Sequence, residues 1–190
     1  MESDAEHGLC PTCFRRLLLE CSVQLHISKQ NTLVNGSCGV YKGLLRQALL
    51  TWKKQGNRML VHQLAQLLAA YLPESTWNYS ITSLPGHRRQ CRIRGWDPGS
   101  ELAKKVCDIQ EQEYVSCFIR TKKSYMQKTL NRMQRLENAA LMFQVKEIQL
   151  PEKILIIDDI RTTGASIQAA YELLQSAGVK KISYFTLAQD

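Results

Sequence analysis

Residues 154–166 read Ile-Leu-Ile-Ile-Asp-Asp-Ile-Arg-Thr-Thr-Gly-Ala-Ser, and this stretch decides the fold. Its first four residues are aliphatic without alternation, which predicts a strand covered on both faces in a parallel sheet. Two carboxylates, Asp158 and Asp159, follow at the C-terminal end of that strand. Because ligands of open α/β sheets bind at the carboxyl ends of the strands, the stretch predicts an α/β fold with a ligand site at this edge.

Small and hydroxylated residues separate the acidic pair from an apolar helical pattern: Thr162, Thr163, Gly164, Ala165 and Ser166. Backbone N–H groups at a helix start are unpaired and lie at the positive end of the helix dipole, so they favour a phosphate. Carboxylates beside such a site suit ribose hydroxyls and a divalent cation. The alternative is a doubly wound protein in which the acidic strand end and the Thr-rich helix start are incidental.

Residues 154–166 resemble the phosphoribosyl-pyrophosphate (PRPP) signature of type I phosphoribosyltransferases. The resemblance implies a parallel sheet flanked by helices, preceded here by a small segment that contains cysteines. It also implies that PRPP and Mg²⁺ bind to Asp158, Asp159, Arg161 and residues 162–166. In an active enzyme, Asp158 and Asp159 would be the catalytic residues.

Size and composition favour one main domain. The chain has 190 residues, 44% of them hydrophobic, which is enough for one good core. The apolar runs are too short to span a membrane, and the first residues are acidic where a signal peptide would be basic. We therefore expect a cytoplasmic protein without a membrane span.

The positive charge lies mainly in the middle of the chain. The net charge is +8, and residues 88–146 hold 13 Lys/Arg against 6 Asp/Glu, a difference of 13 − 6 = +7. This asymmetry favours a polyanionic partner such as a nucleic acid, or a strongly anionic small ligand. A basic surface that only keeps the protein soluble is an equally good interpretation of the charge alone.

The N-terminal segment, residues 1–40, contains four of the seven cysteines: Cys10, Cys13, Cys21 and Cys38. Cys10 and Cys13 form a C-x-x-C turn that can present two thiolates to Zn²⁺, and a segment with little core of its own benefits from such a ligand. We predict a structural zinc site with all four cysteines as ligands, although His7 or His26 could compete as ligands with Cys21 and Cys38, which do not form a second C-x-x-C pair. A redox-active C-x-x-C pair is the alternative. Residues 41–190 would then form the main domain.

A cluster of arginines follows a predicted strand, residues 79–84, which Pro85-Gly86 ends. We expect residues 87–96 to form a loop with four arginines suited to bidentate phosphate recognition: Arg88, Arg89, Arg92 and Arg94. Lys53 ends a helix predicted from Tyr41 to Gly56, and a second helix is predicted from Met59 to Leu72. With Lys53, the four arginines are candidate ligands of pyrophosphate or of DNA phosphates.

Further strands and helices are predicted on both sides of the 154–166 stretch. Asp97-Pro98 is typical of a helix start, and residues 115–119 suggest a strand. Residues 120–146 are basic and polar. A helix from 165 to about 177 and a last strand from 181 to 187 complete the pattern.

The whole chain is similar to the ComF/GntX family of competence-associated phosphoribosyltransferase-like proteins. The resemblance rests on Tyr41-x-Gly43 with Arg46 and Lys53, on Pro85 and Arg88, on Arg94-Gly95-Trp96, and on the PRPP-type stretch; it continues through Arg120, Gln127, Leu130, Arg135, Asn138 and Phe143. The family usually reads Arg-Gly-Phe-Asn-Gln where this chain has Arg94-Gly95-Trp96-Asp97-Pro98. The resemblance implies a role in natural transformation, with single-stranded DNA handled in the cytoplasm and other competence proteins as partners.

Three functions follow from these interpretations. The first is a transformation protein that binds PRPP, or a related phosphoribosyl ligand, and single-stranded DNA, with Trp96 or Tyr125 stacking on bases. The second is an active phosphoribosyltransferase of unknown acceptor. Little sequence follows the last predicted strand to cover a nucleobase, which favours binding over turnover. The third is a regulatory PRPP sensor.

Overall fold

The computed structural model describes residues 8–27, 34–55, 57, 59–121 and 142–190. The helices are α1 Pro11–Glu20, α2 Gly43–Gln55, α3 Met59–Tyr71, α4 Arg88–Arg94, α5 Pro98–Gln110 and α6 Ala165–Ser176, with a 3-10 turn at Glu74–Thr76. The strands are β1 Gln24–Ile27, β2 Val34–Val40, β3 Ser80–Ser83, β4 Phe118–Arg120, β5 Phe143–Val145, β6 Lys153–Arg161 and β7 Lys181–Gln189.

The main sheet has the strand order β1-β2-β7-β6-β3. Its last four strands are parallel, and β1 is antiparallel to β2 at the edge. The predicted α/β class with a mostly parallel sheet is therefore confirmed.

β6 lies between two cores, as its uninterrupted aliphatic run predicts. Leu155 and Ile157 pack in a core formed with α2, α3 and α5, whereas Ile154 and Ile156 pack in a second core with α6 and the β4–β5 hairpin. All four side chains are at most 1% exposed. Because successive side chains of a strand point to opposite faces, a strand with layers on both sides needs apolar residues at every position.

β6 extends further than the sequence predicts. It pairs with β7 as far as Arg161, so Asp158 and Asp159 lie within the strand. Its other neighbour, β3, pairs with it only from Ile154 to Ile157 in the described ladder. The last part of β6 therefore projects past the end of β3, and this step in the sheet leaves room for a cavity beside the acidic pair.

The described part of the N-terminal segment contributes to the same sheet and core as the residues after position 40. β2 lies inside the main sheet next to β7, and Leu17 of α1 is fully buried. Small residues let β2 fit there, since a Cβ on Gly36 would lie 2.8 Å from the Gln24 carbonyl oxygen and 2.9 Å from the Phe185 ring. A strand built from small and polar residues has no apolar alternation, which is why the pattern did not predict it.

Two local predictions need correction, and one is confirmed. The arginine-rich residues after Pro85-Gly86 form helix α4 and not a loop. The strand predicted at residues 115–119 lies at Phe118–Arg120, where it pairs with β5 in a separate two-stranded sheet. α5 begins as predicted, with the Asp97 side chain as its N-cap and Pro98 in its first turn. Within the described ranges, no helix is both long and apolar enough to cross a membrane.

Candidate functional site

A cavity of about 200 Å³ lies at the carboxyl ends of β3 and β6. Its wall includes seven ionisable side chains: Lys53, His87, Arg94, Asp97, Arg120, Asp158 and Asp159. Ser166 of α6 and the Pro85-Gly86 turn after β3 complete the polar wall. The fold thus brings the acidic pair, the start of α6 and two of the five predicted phosphate-binding cations, Lys53 and Arg94, to one cavity.

The two aspartates of β6 occupy different environments. The Asp159 carboxylate forms an ion pair with the Lys53 ammonium, with 2.5 Å between Oδ2 and Nζ, and both side chains are largely buried, at 14% and 22% exposure. Asp158 accepts a hydrogen bond of 2.9 Å from the Asp159 backbone N–H. Burial, together with the negative charge of Asp159, raises the pKa of Asp158 to about 7. Asp158 therefore titrates near neutral pH.

The start of α6 presents backbone donors as predicted. Gly164 is the N-cap, and as a glycine it has no side chain to cap the helix. Its φ of +75° is in the left-handed region, and a Cβ there would lie 3.1 Å from Nε of Arg161. Only glycine fits both constraints without strain. The hydroxyl of Thr163 accepts a long hydrogen bond, 3.4 Å, from the Ala165 N–H.

The predicted cradle residues do not all face the cavity. Ser166 is on its wall, whereas Thr162 and Thr163 are exposed to solvent. The guanidinium of Arg161 lies over the Tyr184 ring, with 5.9 Å between the guanidinium carbon and the ring centroid. Arg161 thus packs against the turn at Gly164.

α4 separates the four predicted arginines. Arg94 lines the cavity, and Arg88 donates a hydrogen bond of 2.9 Å to the backbone carbonyl of Arg120. Arg89 and Arg92 are exposed to solvent. The arginines therefore do not form one cluster: one faces the cavity and two form an outer basic surface.

Of the two aromatic residues predicted to stack on bases, one is described. Trp96 packs against the buried Trp52, with ring centroids 5.6 Å apart and planes tilted by 42°. Trp96 is only half-exposed, so much of its surface is used within the protein. Tyr125 lies outside the described residues.

Arg120, a cavity residue to which the sequence interpretation gave no role, closes one side of the site. Its Nη1 donates a hydrogen bond of 3.0 Å to the Pro85 carbonyl, and its guanidinium lies 5.5 Å from the centroid of the Phe143 ring. Burial lowers the pKa of this guanidinium. Its Nε and the Nδ1 of His87 are buried with no hydrogen-bond partner in the described part of the chain.

Asp97 is the third carboxylate of the wall. Its Oδ1 accepts hydrogen bonds from the Gly99 and Ser100 N–H groups at the start of α5, and its Oδ2 accepts one of 2.8 Å from the Gly86 N–H. The Asp-Pro pair in the sequence predicts the contacts of Asp97 with Gly99 and Ser100 at the start of α5, but it does not predict the contact with Gly86. Arg120 could have been found by the rule used for Asp158, since it follows a predicted strand.

The carboxylates fit Mg²⁺ that arrives with a phosphorylated ligand. Mg²⁺ is usually held by one or two carboxylates together with substrate phosphates and water. Asp158 and Asp159 supply two such groups on one wall. Across the described residues, no group of three or more His, Cys, Asp or Glu side chains is arranged to hold a metal ion by itself.

The four predicted zinc ligands are not brought together. Cys10 is exposed at the N-cap of α1, next to Cys13, whereas Cys21 is the C-cap of the same helix. The ten residues of α1 span roughly 15 Å, and thiolates that share one zinc lie within about 5 Å of each other. Cys21 and Cys38 are buried in the apolar core, which raises the pKa of both thiols. The four cysteines therefore do not fit one tetrahedral site, and zinc at Cys10 and Cys13 stays a prediction.

The mostly parallel sheet flanked by helices, with an acidic strand followed by an uncapped helix start, defines a type I phosphoribosyltransferase fold. Residues 94–190 match the phosphoribosyl transferase domain family, and the chain belongs to this family. It is also 25% identical over 182 residues to the competence protein ComFC of Streptococcus pneumoniae (strain ATCC BAA-255 / R6), a match that covers 95% of this chain and 80% of that protein. This similarity confirms the resemblance to the ComF/GntX family.

Similar solved structures include two phosphoribosyltransferases. Adenine phosphoribosyltransferase from Saccharomyces cerevisiae is 14% identical, with 95% of this chain and 90% of that chain covered and a TM-score of 0.48. Orotate phosphoribosyltransferase from Aeropyrum pernix is also 14% identical, with 92% and 78% covered and a TM-score of 0.44.

Proposed function

We propose that the chain binds a phosphoribosyl ligand, PRPP or a close relative, together with Mg²⁺ in the cavity at the carboxyl edge of the sheet. The observation behind this proposal is that Asp158, Asp159 and the start of α6 border one cavity with Lys53 and Arg94. This set offers oxygen acceptors for ribose hydroxyls, backbone donors for a phosphate, and cations for further negative charge.

Each side chain would have a separate role. The N–H groups at the start of α6 would hold the 5′-phosphate, and the two aspartates would accept hydrogen bonds from the ribose hydroxyls. Lys53, now paired with Asp159, and Arg94 would offset the remaining negative charge of the ligand. Mg²⁺ would be held by the aspartates and the ligand, and it would reduce the repulsion between them.

We also propose that the outer surface of α4 binds single-stranded DNA in natural transformation, as the similarity to a competence protein suggests. Arg89 and Arg92 are exposed there beside Ile93, which is 75% exposed. Exposed arginines bind the phosphates of any sequence, and such binding weakens as salt increases.

Isothermal titration calorimetry tests ligand binding in the cavity, on samples with and without single-stranded DNA. Addition of PRPP with Mg²⁺ should release or absorb heat with one-to-one stoichiometry, both with and without single-stranded DNA. Asp159→Asn should weaken this binding by about tenfold or more, because it removes a charged acceptor. The matched control is Asp108→Asn, on the exposed side of α5, where Asp108 pairs with Lys105. Absence of binding by the unmodified protein would contradict the proposal.

Phosphoribosyl transfer is the second candidate function. The observation in its favour is the half-buried Asp158, whose pKa of about 7 suits a group that changes charge during a reaction near neutral pH. Catalysis would rest on electrostatic stabilisation of a positively charged ribosyl group and of the departing pyrophosphate. Release of pyrophosphate from PRPP with nucleobases or DNA, lost in Asp159→Asn, would support it; binding without release would exclude turnover with these acceptors.

A further inference from the structure

The ammonium group of Lys53 lies against one of the two carboxylates that are suited to a metal ion. Its Nζ is 2.5 Å from Oδ2 of Asp159, and both side chains are largely buried. Both residues line the cavity, together with Asp158. A Mg²⁺ ion held by Asp159 would lie close to this ammonium, and the two positive charges would repel each other. The ion pair and a bound metal ion therefore exclude each other at Asp159.

Lys53 is held at its backbone, whereas its charged end can move. It lies in the last turn of α2, directly after Trp52, which is fully buried and packs against Trp96. A lysine side chain is a flexible four-carbon stem that ends in a single charge. The ammonium can therefore leave Asp159 by rotation about side-chain bonds.

The burial of the pair makes it unfavourable to replace only one partner. When one member of a buried ion pair is lost, the other charge remains uncompensated. A metal ion alone would replace the ammonium at Asp159 but would leave Lys53 without an anion. A phosphorylated ligand supplies that anion, and the metal ion that binds with it supplies the cation for Asp159. Exchange of both partners together is therefore favoured over exchange of one.

We infer that Lys53 keeps Mg²⁺ away from Asp159 until a phosphorylated ligand is present, so that metal and ligand bind together and the metal does not bind first. This inference rests on the proposed function, because it concerns the same aspartates, and it adds the order in which the site is filled. Lys53 acts through Asp159 and is thus a positioning residue.

Titration with a metal ion alone tests this inference. Mn²⁺ replaces Mg²⁺ as the probe, at pH 8 and constant ionic strength, and electron paramagnetic resonance measures the free Mn²⁺. We expect little binding to the unmodified protein, whereas Lys53→Met should bind Mn²⁺ roughly tenfold more tightly or better, because the competing charge is gone. Mn²⁺ should also raise the melting temperature of Lys53→Met, since it binds the folded state.

Two further variants separate the charge of Lys53 from other effects of the substitution. Lys54→Met removes the same charge from the next residue of α2, which is exposed to solvent, and should behave like the unmodified protein. Lys53→Arg keeps a positive charge and should exclude Mn²⁺ as Lys53 does. If Lys53→Met does not fold, Lys53→Gln gives the same comparison, because its amide can still donate a hydrogen bond to Asp159.

Tight binding of Mn²⁺ alone to the unmodified protein would overturn the inference, whatever the variants do. Equal Mn²⁺ affinity of the unmodified protein and a folded Lys53→Met or Lys53→Gln variant would also overturn it. Neither result decides the proposed function, which depends on the titration of the unmodified protein with PRPP and Mg²⁺. Absence of ligand binding in that titration would reject the proposed function instead.

Discussion

At the scale of single residues, the candidate site depends on groups whose neighbours alter their ordinary chemistry. Asp158 follows the apolar run of β6 within the same strand, and its burial together with the neighbouring carboxylate of Asp159 raises its pKa, so its proton is held more tightly than in the unfolded chain. Asp159, one residue further, forms an ion pair with Lys53. The two adjacent aspartates thus have different neighbours, since the ion pair of Lys53 is formed with Asp159.

The raised pKa of Asp158 predicts that the protein loses stability as pH rises. Folding moves this pKa from 3.8 to about 7, so the folded state binds the proton more strongly, and the stabilisation present below pH 4 is lost as pH rises through 7. Asp158→Asn should remove this dependence. The difference in melting temperature between pH 5 and pH 8 should therefore be smaller in the variant than in the unmodified protein. Each kcal/mol of pH-dependent stability that is removed corresponds to roughly 2–4 °C.

The exposed Asp108→Asn variant is the control for these melts, and it should retain the original pH dependence. An equal dependence in Asp158→Asn would show that other groups are responsible. The same titration predicts that Mg²⁺-dependent binding of a phosphoribosyl ligand strengthens between pH 6 and pH 8, because the ionised carboxylate is the better metal ligand.

Gly164 offers a second prediction at this scale. Gly164→Ala places a Cβ at positive φ and 3.1 Å from Arg161, so it should destabilise the fold by about 1–2 kcal/mol and also displace the start of α6. We expect a lower melting temperature together with a loss of phosphoribosyl ligand binding, measured by calorimetry.

Gly178 provides the matched control for this substitution. It has a φ of +88°, but nothing lies within 4 Å of its added Cβ. Gly178→Ala should therefore lose similar stability and keep its ligand affinity. Equal loss of affinity in both variants would mean that the effect comes from global destabilisation and not from the start of α6.

At the scale of helices and strands, apolar pattern predicted the elements that it governs directly. β6 has an apolar residue at every core position, and α5 begins at an Asp-Pro pair, so both were recognised. β2 consists mainly of small and polar residues that fit against Phe185, and this fit depends on a strand about 150 positions away in sequence. Such a contact cannot be recognised from local pattern.

The contacts of the candidate site are also of two kinds, those that local sequence predicts and those that depend on distant residues. Asp158, Asp159 and Ser166 lie close together in sequence, so their proximity was predictable, whereas the contact of Asp97 with Gly86 depends on the path of α4 between them. The arginines were predicted to be ligands of phosphate, but the directions of their side chains depend on α4 being helical. The helix α4 packs against the Pro85-Gly86 turn, and a local sequence pattern does not predict such packing.

The C-terminal end of α1 is anchored by one hydroxyl. Tyr71 of α3 donates to the backbone carbonyls of Leu18 and Cys21, at 2.6 Å and 3.1 Å. Tyr71→Phe should reduce the free energy of unfolding by about 1–3 kcal/mol, since it leaves partly buried carbonyls without a donor. Urea denaturation measures this difference.

Tyr171→Phe, which removes a hydroxyl from α6, is the control and should change stability by less than about 0.5 kcal/mol. A Tyr71→Phe variant as stable as the unmodified protein would show that water replaces the hydroxyl, and that α1 is held by Leu17 and its apolar neighbours alone.

At the scale of the whole molecule, the cavity and the outer surface of α4 lie on opposite sides of one short helix. Arg89 and Arg92 face solvent, whereas Arg94 lines the cavity. If each exposed arginine contacts one phosphate, Arg89→Ala/Arg92→Ala should lower the affinity for single-stranded DNA. It should also reduce the slope of log affinity against log salt by about 1.4, or about 0.7 for each contact.

Filter binding across a salt series measures this slope, and Arg15→Ala/Arg16→Ala on α1 removes the same charge from another exposed helix. Equal effects of the two double substitutions would indicate attraction by net charge without a defined surface. In contrast, PRPP or ribose 5-phosphate binding should be unchanged in both.

The contact between Trp52 and Trp96 gives the protein an optical signal of its own. Two indole rings 5.6 Å apart and tilted by 42° lie in a fixed asymmetric arrangement, which produces circular dichroism in the near ultraviolet. Trp52 precedes the Lys53 that pairs with Asp159, and Trp96 precedes Asp97, so both rings are covalently linked to the cavity wall. The third tryptophan, Trp77, is 54% exposed. Any ligand that separates Lys53 from Asp159 should therefore change this spectrum without an added dye or label.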